Sequence, residues 1–173
     1  MHVNLIALEI GHAAGWPESA LQDLADFLVK NKVKVSQAAR PKIDTAELND
    51  VYVRMLRAAT SGRMSDEVWR TALRDAAALP DDDRSYFAQM QRGNALSHRT
   101  WLQLNEKRHR MRLAWDAFFE DWDLMLCPVA VGPAFPHDQK GLRHLRTITV
   151  NNKQVPVVDQ IFWAGYAGIT LLP

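Results

Sequence analysis

A thiol at Cys127, an imidazole at His137 and a dense basic run at Lys107, Arg108, His109, Arg110 and Arg112 are the groups whose types could do chemistry. A cysteine attacks as its thiolate, which needs a positive neighbour or a helix N-terminus. Cys127 instead closes the apolar run Leu124-Met125-Leu126-Cys127, where desolvation raises a thiol pKa and silences the sulfur. It reads as a buried structural cysteine. His137 lies in the loop after a strand end, a common place for function in α/β sheets, and is a candidate for a pocket wall. Trp163, on a helix of small residues, could offer a flat apolar face and is the second candidate; plain core is its competing reading.

Other chemistries fail on spacing. The histidines at 2, 12, 98, 109, 137 and 144 have no metal-ligand spacing among themselves or with Cys127, so no metal is expected. No glycine-rich phosphate cradle occurs, and no cofactor is implied. The basic run could hold an anion but reads as a solvated helix face, pairing with Asp116, Glu120 and Asp121 one to two turns on. Asp81, Asp82 and Asp83 read as helix-capping acids rather than a cation site. Asp123 reads as fixing a helix-to-strand corner. Ser19, Ser36, Ser61, Ser65, Ser85 and Ser97 all lie outside glycine-rich turns, so nucleophile, base and oxyanion donors do not assemble.

The elements that must position these groups alternate. Val3 to Ile10 reads as a buried strand, and Pro17 as the first residue of a helix with Leu21, Leu24 and Leu28 as its apolar stripe, Phe27 beside it. Val33 to Val35 follows as a strand. Asp44 and Glu47 form a capping box for a helix burying Val51, Met55 and Leu56. Ser65 caps a helix with Val68, Trp69 and Leu73 inward. Pro80 to Asp83 is a turn leading to a short helix that Gly93 ends. Ser97 caps a long helix carrying Trp101, Leu104, Met111, Trp115, Phe118 and Trp122 on one face. Leu124 to Cys127 is a strand buried on both faces. Arg146 to Val150 and Gln154 to Val158 flank Asn151-Asn152, a pair tolerant of positive φ, and form a hairpin whose second strand Pro156 marks as an edge. Asp159 opens a helix that Gly168 breaks, and Ile169 to Leu172 starts another strand.

The chain has 173 residues, 47% hydrophobic, with net charge +1. That suits one domain, 1–173, with no field to draw nucleic acid or an acidic membrane. One cysteine excludes an internal disulfide. No signal peptide pattern and no uncharged run near the ~20 residues of a spanning helix occur, so a cytoplasmic location is expected.

The pattern Arg112…Trp115-Asp116-Ala117-Phe118-Phe119…Trp122-Asp123-Leu124-Met125-Leu126-Cys127-Pro128-Val129 resembles the later part of amidase signature family enzymes. The resemblance continues through Ala134-Phe135-Pro136-His137-Asp138, Arg146 to Asn151, Val155-Pro156-Val157, Asp159-Gln160 and Phe162-Trp163-Ala164-Gly165 to Leu172-Pro173. Lys34 to Arg57, with Ala39-Arg40-Pro41, is similar to the family too, whereas Met1 to Pro17 fits it poorly. The resemblance implies hydrolysis of carboxylic amide C–N bonds by two serines and a lysine. Nothing here matches the glycine-rich double-serine segment, so no catalytic residue is carried over.

The resemblance therefore implies an α/β chain, a partial mixed β-sheet covered by helices, cut from the amidase signature fold at both ends. Such a chain is expected to be inactive alone. Its substrate, a small-molecule amide, would be bound only within a complete enzyme, and a complementary N-terminal amidase chain is the implied partner. Two alternatives stand beside it: a non-catalytic interaction module or half of a split amidase, and an enzyme built on Cys127 and His137. Unpaired sheet edges in such a cut chain imply poor solubility.

Overall fold

The computed structural model describes residues 2–5, 18–127, 129–132 and 134–172, with side chains described from residue 22 onward. Two compact units result: Met1–Ile43 with Leu113–Ala164, and Asp44–Arg112 with Gly165–Pro173. Strands and helices together make an α/β element set.

In the first unit β1 (His2–Leu5) is the middle of a three-stranded parallel sheet, flanked by β2 (Lys34–Ser36) and β3 (Leu124–Leu126). Val3 pairs with Val35 on one side and Leu124 on the other. The connection from β1 to β2 includes α1 (Glu18–Lys30), as parallel pairing requires a crossover. Residues 6–10 of the expected first strand, and Pro17, lie outside the described residues. The α1 stripe is not buried as expected: Ala25 is, but Leu24 and Phe27 are 39% and 61% exposed. β3 is likewise an edge strand with Leu124 exposed, because among the described residues only β1 pairs with it, so the expectation of burial on both faces is corrected.

The hairpin follows the sequence reading. β4 (Thr147–Val150) and β5 (Lys153–Pro156) pair antiparallel, Thr147 opposite Pro156. Asn151 and Asn152 take φ of 50° and 61°, the left-handed pair that a two-residue turn between twisted strands demands. The hairpin is a sheet of its own and does not join the parallel strands in one mixed sheet. A 3-10 turn, Val157–Gln160, leads into α6 (Ile161–Gly168), so the helix opens two residues beyond Asp159.

The second unit is helical. Asp44 caps α2 (Thr45–Ser61), its carboxylate accepting from the Ala46 and Glu47 N–H groups at 2.8 and 3.0 Å. Such a cap is worth about 1 kcal/mol. The other half of the expected box goes elsewhere, since the Glu47 carboxylate meets Lys107 Nζ at 2.6 Å. α2 buries Leu48, Val51, Val53 and Met55 and packs on α4 (Tyr86–Asn94), which also packs on α3 (Asp66–Ala78). Ser65 and Ser85 cap α3 and α4. Only Ala72 of α3 is buried; Val68 and Trp69, expected inward, are exposed. Asp83 accepts from the Ser85 N–H at 2.8 Å and so stiffens the turn before α4 rather than capping the helix itself. α4 ends one residue beyond Gly93, at Asn94.

α5 (His98–Phe119) begins at Ser97, whose hydroxyl accepts from the Thr100 N–H. Its residues up to Arg112 belong to the second unit and bury Leu104 and Met111. In the first unit Trp115 and Phe118 are buried, and Phe118 stacks on Trp122 beyond the helix end at 6.3 Å. Trp101, expected on the buried face, is partly exposed. Residues 169–171 form a turn with Leu171 at φ 64°, not the expected strand, because the N–H groups of Ile169 to Leu172 bond back to carbonyls of α6.

Candidate functional site

The hairpin and the loop before it line an open cavity of about 580 Å³ in the first unit. The hairpin part of its lining, the floor, includes Thr147 and Thr149 on one face of β4, with Gln154 opposite Thr149 on β5, alongside Ile148 and Val150. Thr147 Oγ1 donates to Gln154 Oε1 at 2.8 Å, and Gln154 Nε2 donates to Thr149 Oγ1 at 2.8 Å. The relay runs one way, so the Thr149 hydroxyl accepts within the floor and keeps its own proton for donation.

The walls are Phe135, Pro136 and His137 from the loop, with Arg143 and Arg146 at the side. Arg146 holds the loop in shape. Its Nη1 donates to the Asp138 carbonyl at 2.6 Å, Nε to Lys140 at 3.1 Å and Nη2 to Gly141 at 2.9 Å. Gly141 makes that curl possible at φ 65°, a conformation other residues adopt only at a cost. Three charge-assisted bonds from one rigid guanidinium pin a segment without regular structure. Asp138 also lines the cavity and accepts from the Lys140 N–H at 2.9 Å.

Of the two residues singled out from sequence, His137 lines this cavity and is exposed. Trp163 is 4% exposed, edge-to-face with Phe162 at 5.1 Å, and forms no part of the cavity's described wall. Arg143, Arg146 and the Thr–Gln floor escaped the sequence reading. The signal for the floor was the Thr-x-Thr alternation in β4; for Arg146, whose partners are backbone carbonyls, there was none.

The other candidates separate. Cys127 is exposed at the end of β3, correcting the expectation of a buried thiol, yet enough protein surrounds its sulfur for desolvation to raise its pKa. Iodoacetamide is therefore expected to alkylate Cys127 in the folded chain more slowly than free cysteine at about pH 8, with the rate rising at more alkaline pH than for an ordinary thiol. Urea should abolish the difference; equal rates in the folded chain would refute the assignment.

A smaller cavity of about 330 Å³ in the second unit is lined by Arg108, His109 and Arg112 against residues 169–171. The acids paired with the basic run are Glu47, with Lys107, and Glu106, with Arg110 at 3.3 Å. Among the described residues no such pair involves Asp116, Glu120 or Asp121, contrary to the sequence reading. Exposed pairs of this kind contribute under about 1 kcal/mol.

Every serine with a described side chain is engaged locally. Ser36 accepts from the Ala38 and Ala39 N–H groups, Ser61 donates to the Ala58 carbonyl, and Ser65, Ser85 and Ser97 cap helices. The Ser19 side chain lies outside the described residues. Among the described residues no three His, Cys, Asp or Glu side chains converge as metal ligands, and no helix is long and apolar enough to cross a membrane.

No family model matches the chain. Over 155 residues, 89% of the chain, it is 24% identical to an indoleacetamide hydrolase of Bradyrhizobium diazoefficiens, of which the match covers 26%. The chain thus spans about a quarter of the length of the curated relative it matches, and the similarity to an amide hydrolase is a distant one.

Proposed function

We propose that this chain is the later segment of an amide hydrolase of the amidase signature type, inactive alone. In this reading it contributes sheet strands and one wall of the substrate cleft, with His137 in that wall. A complementary N-terminal chain supplies the two serines and the lysine. The similarity to indoleacetamide hydrolase along 89% of the chain carries the proposal. The local engagement of Ser36, Ser61, Ser65, Ser85 and Ser97 supports inactivity, since a hydroxyl spent on a helix cap is not free to attack a carbonyl. The apolar side chains left exposed on α1 and β3 suit a surface that a partner covers.

The test has two arms. The purified chain should release no ammonia from acetamide or benzamide and should take no label from a serine-directed fluorophosphonate; turnover or labelling would refute its inactivity. A chimera in which this chain replaces the matching 155-residue block of the Bradyrhizobium enzyme should be soluble and hydrolyse an aryl amide. A soluble, folded and inert chimera would refute the amide hydrolase reading.

A further inference from the structure

The hairpin cavity carries a ligand preference that its size and apolar walls do not explain. Arg143 and Arg146 line it against one carboxylate, Asp138, so its described ionic side chains sum to a positive charge. The two arginines are not equivalent. Arg146 spends its guanidinium on the carbonyls of Asp138, Lys140 and Gly141 and is a structural cation. Arg143 stands at the start of the 3-10 turn Arg143–Leu145, exposed, and among the described residues it has no carboxylate partner within ion-pair distance. One oxygen of the Asp138 carboxylate accepts from the Lys140 N–H.

Three residues with donor groups line this one space: Arg143, Thr149, whose hydroxyl oxygen already accepts from Gln154, and His137. Phe135 and Pro136 add a flat apolar wall. A cavity of net positive charge, with a guanidinium that has no ion-pair partner among the described residues, next to a flat wall, suits a planar body ending in a group with full negative charge. A neutral amide uses such a site less well, because it leaves the Arg143 charge uncompensated.

We infer that this cavity binds a carboxylate on a flat apolar body, through Arg143. Resting on the amide hydrolase reading above, this makes the substrate class an amide carrying an acidic group remote from the bond that is cut. Arg143 is then a specificity residue and takes no part in bond cleavage.

The test is binding without turnover, so it can fail while the amide hydrolase reading stands, and the reverse. Calorimetry on the purified chain would compare 4-carbamoylbenzoate with its neutral analogue terephthalamide. The carboxylate should bind roughly tenfold tighter or better, the share expected of one charge-assisted contact. Arg143→Gln should erase that preference and Arg143→Lys should retain part of it; the side chain is exposed, and an unchanged melting curve would confirm that both variants fold. Equal affinity for the two probes, absence of binding, or a preference that survives in Arg143→Gln would each overturn the assignment.

Discussion

Truncating Trp115 to alanine is expected to remove about 4 kcal/mol of stability, toward the upper end for a buried aromatic. The residue is 1% exposed. Its ring meets Phe118 edge-to-face at 5.7 Å and stacks on Phe119 at 5.5 Å. Phe118 in turn stacks on Trp122, over whose ring Lys34 Nζ sits at 4.6 Å. One indole thus joins the end of α5 to the first residue of β2 through three contacts. Removing it loses the transfer energy of the ring, opens a void that the remaining aromatics only partly fill, and ends two ring pairings worth about 1 kcal/mol each. Against a typical domain stability of roughly 5–15 kcal/mol, that leaves little. Trp101→Ala, at a partly exposed position of the same helix, should cost under about 1 kcal/mol. Urea denaturation followed by circular dichroism gives both numbers; a Trp115→Ala midpoint close to that of Trp101→Ala would mean the cluster is not packed as described.

The contrast between those tryptophans marks how far periodicity carries. Trp101, Leu104, Met111, Trp115, Phe118 and Trp122 share one helix face by spacing alone, and four of the six are buried. Spacing sets direction but not cover. Whether a residue pointing toward a face is buried depends on what lies over that face, which is why Trp101, Val68 and Trp69 are exposed despite sound positions in their patterns. The α1 stripe shows the same limit. Where the cause is local, sequence reading succeeds: Asp44, Ser65 and Ser97 form their backbone bonds, and Asn151-Asn152 makes its turn. Ile169 to Leu172 fails for a related reason. A run of three apolar residues and a threonine read as a strand, but here their N–H groups close the end of α6, and a strand needs a neighbour to pair with.

The candidate site was legible only in part. His137 drew notice because a histidine in a proline-rich loop is conspicuous. Arg146 could not, since its partners are backbone carbonyls of residues 138, 140 and 141, and carbonyls have no sequence identity. Arg143 counts only because the chain folds so that a cation lines a cavity with its neighbouring acid already engaged. Charge in sequence is common; charge in a cavity beside donors is information that arises from the fold.

Gly93→Ala is the second large effect expected, and it runs against helix propensity. Within a helix, alanine is better than glycine by about 1 kcal/mol, so an unhindered change in α4 would stabilise. Gly93 was expected to end its helix and is the last residue but one of α4, close against Arg54 and Arg57 of α2. A Cβ there would sit 2.7 Å from Arg57 Cβ, 2.8 Å from the Arg54 carbonyl oxygen and 2.9 Å from Arg54 Cα. None of these is the free end of a flexible side chain, so relief requires α2 and α4 to move apart. That movement loosens the packing of Leu48, Val51 and Met55, all buried on α2. Overpacking of this kind costs about 1–3 kcal/mol, and contact with backbone places it at the top of that range. The net expectation is a loss of about 2 kcal/mol, read as a midpoint drop of about 4–8 °C for a chain of this length. Gly62→Ala supplies the control. That glycine sits at the end of α2 with φ −62° and nothing near its would-be Cβ, so the same substitution should be neutral or slightly stabilising. If both variants melt alike, α2 and α4 do not touch at Gly93 and the helical unit is assembled differently.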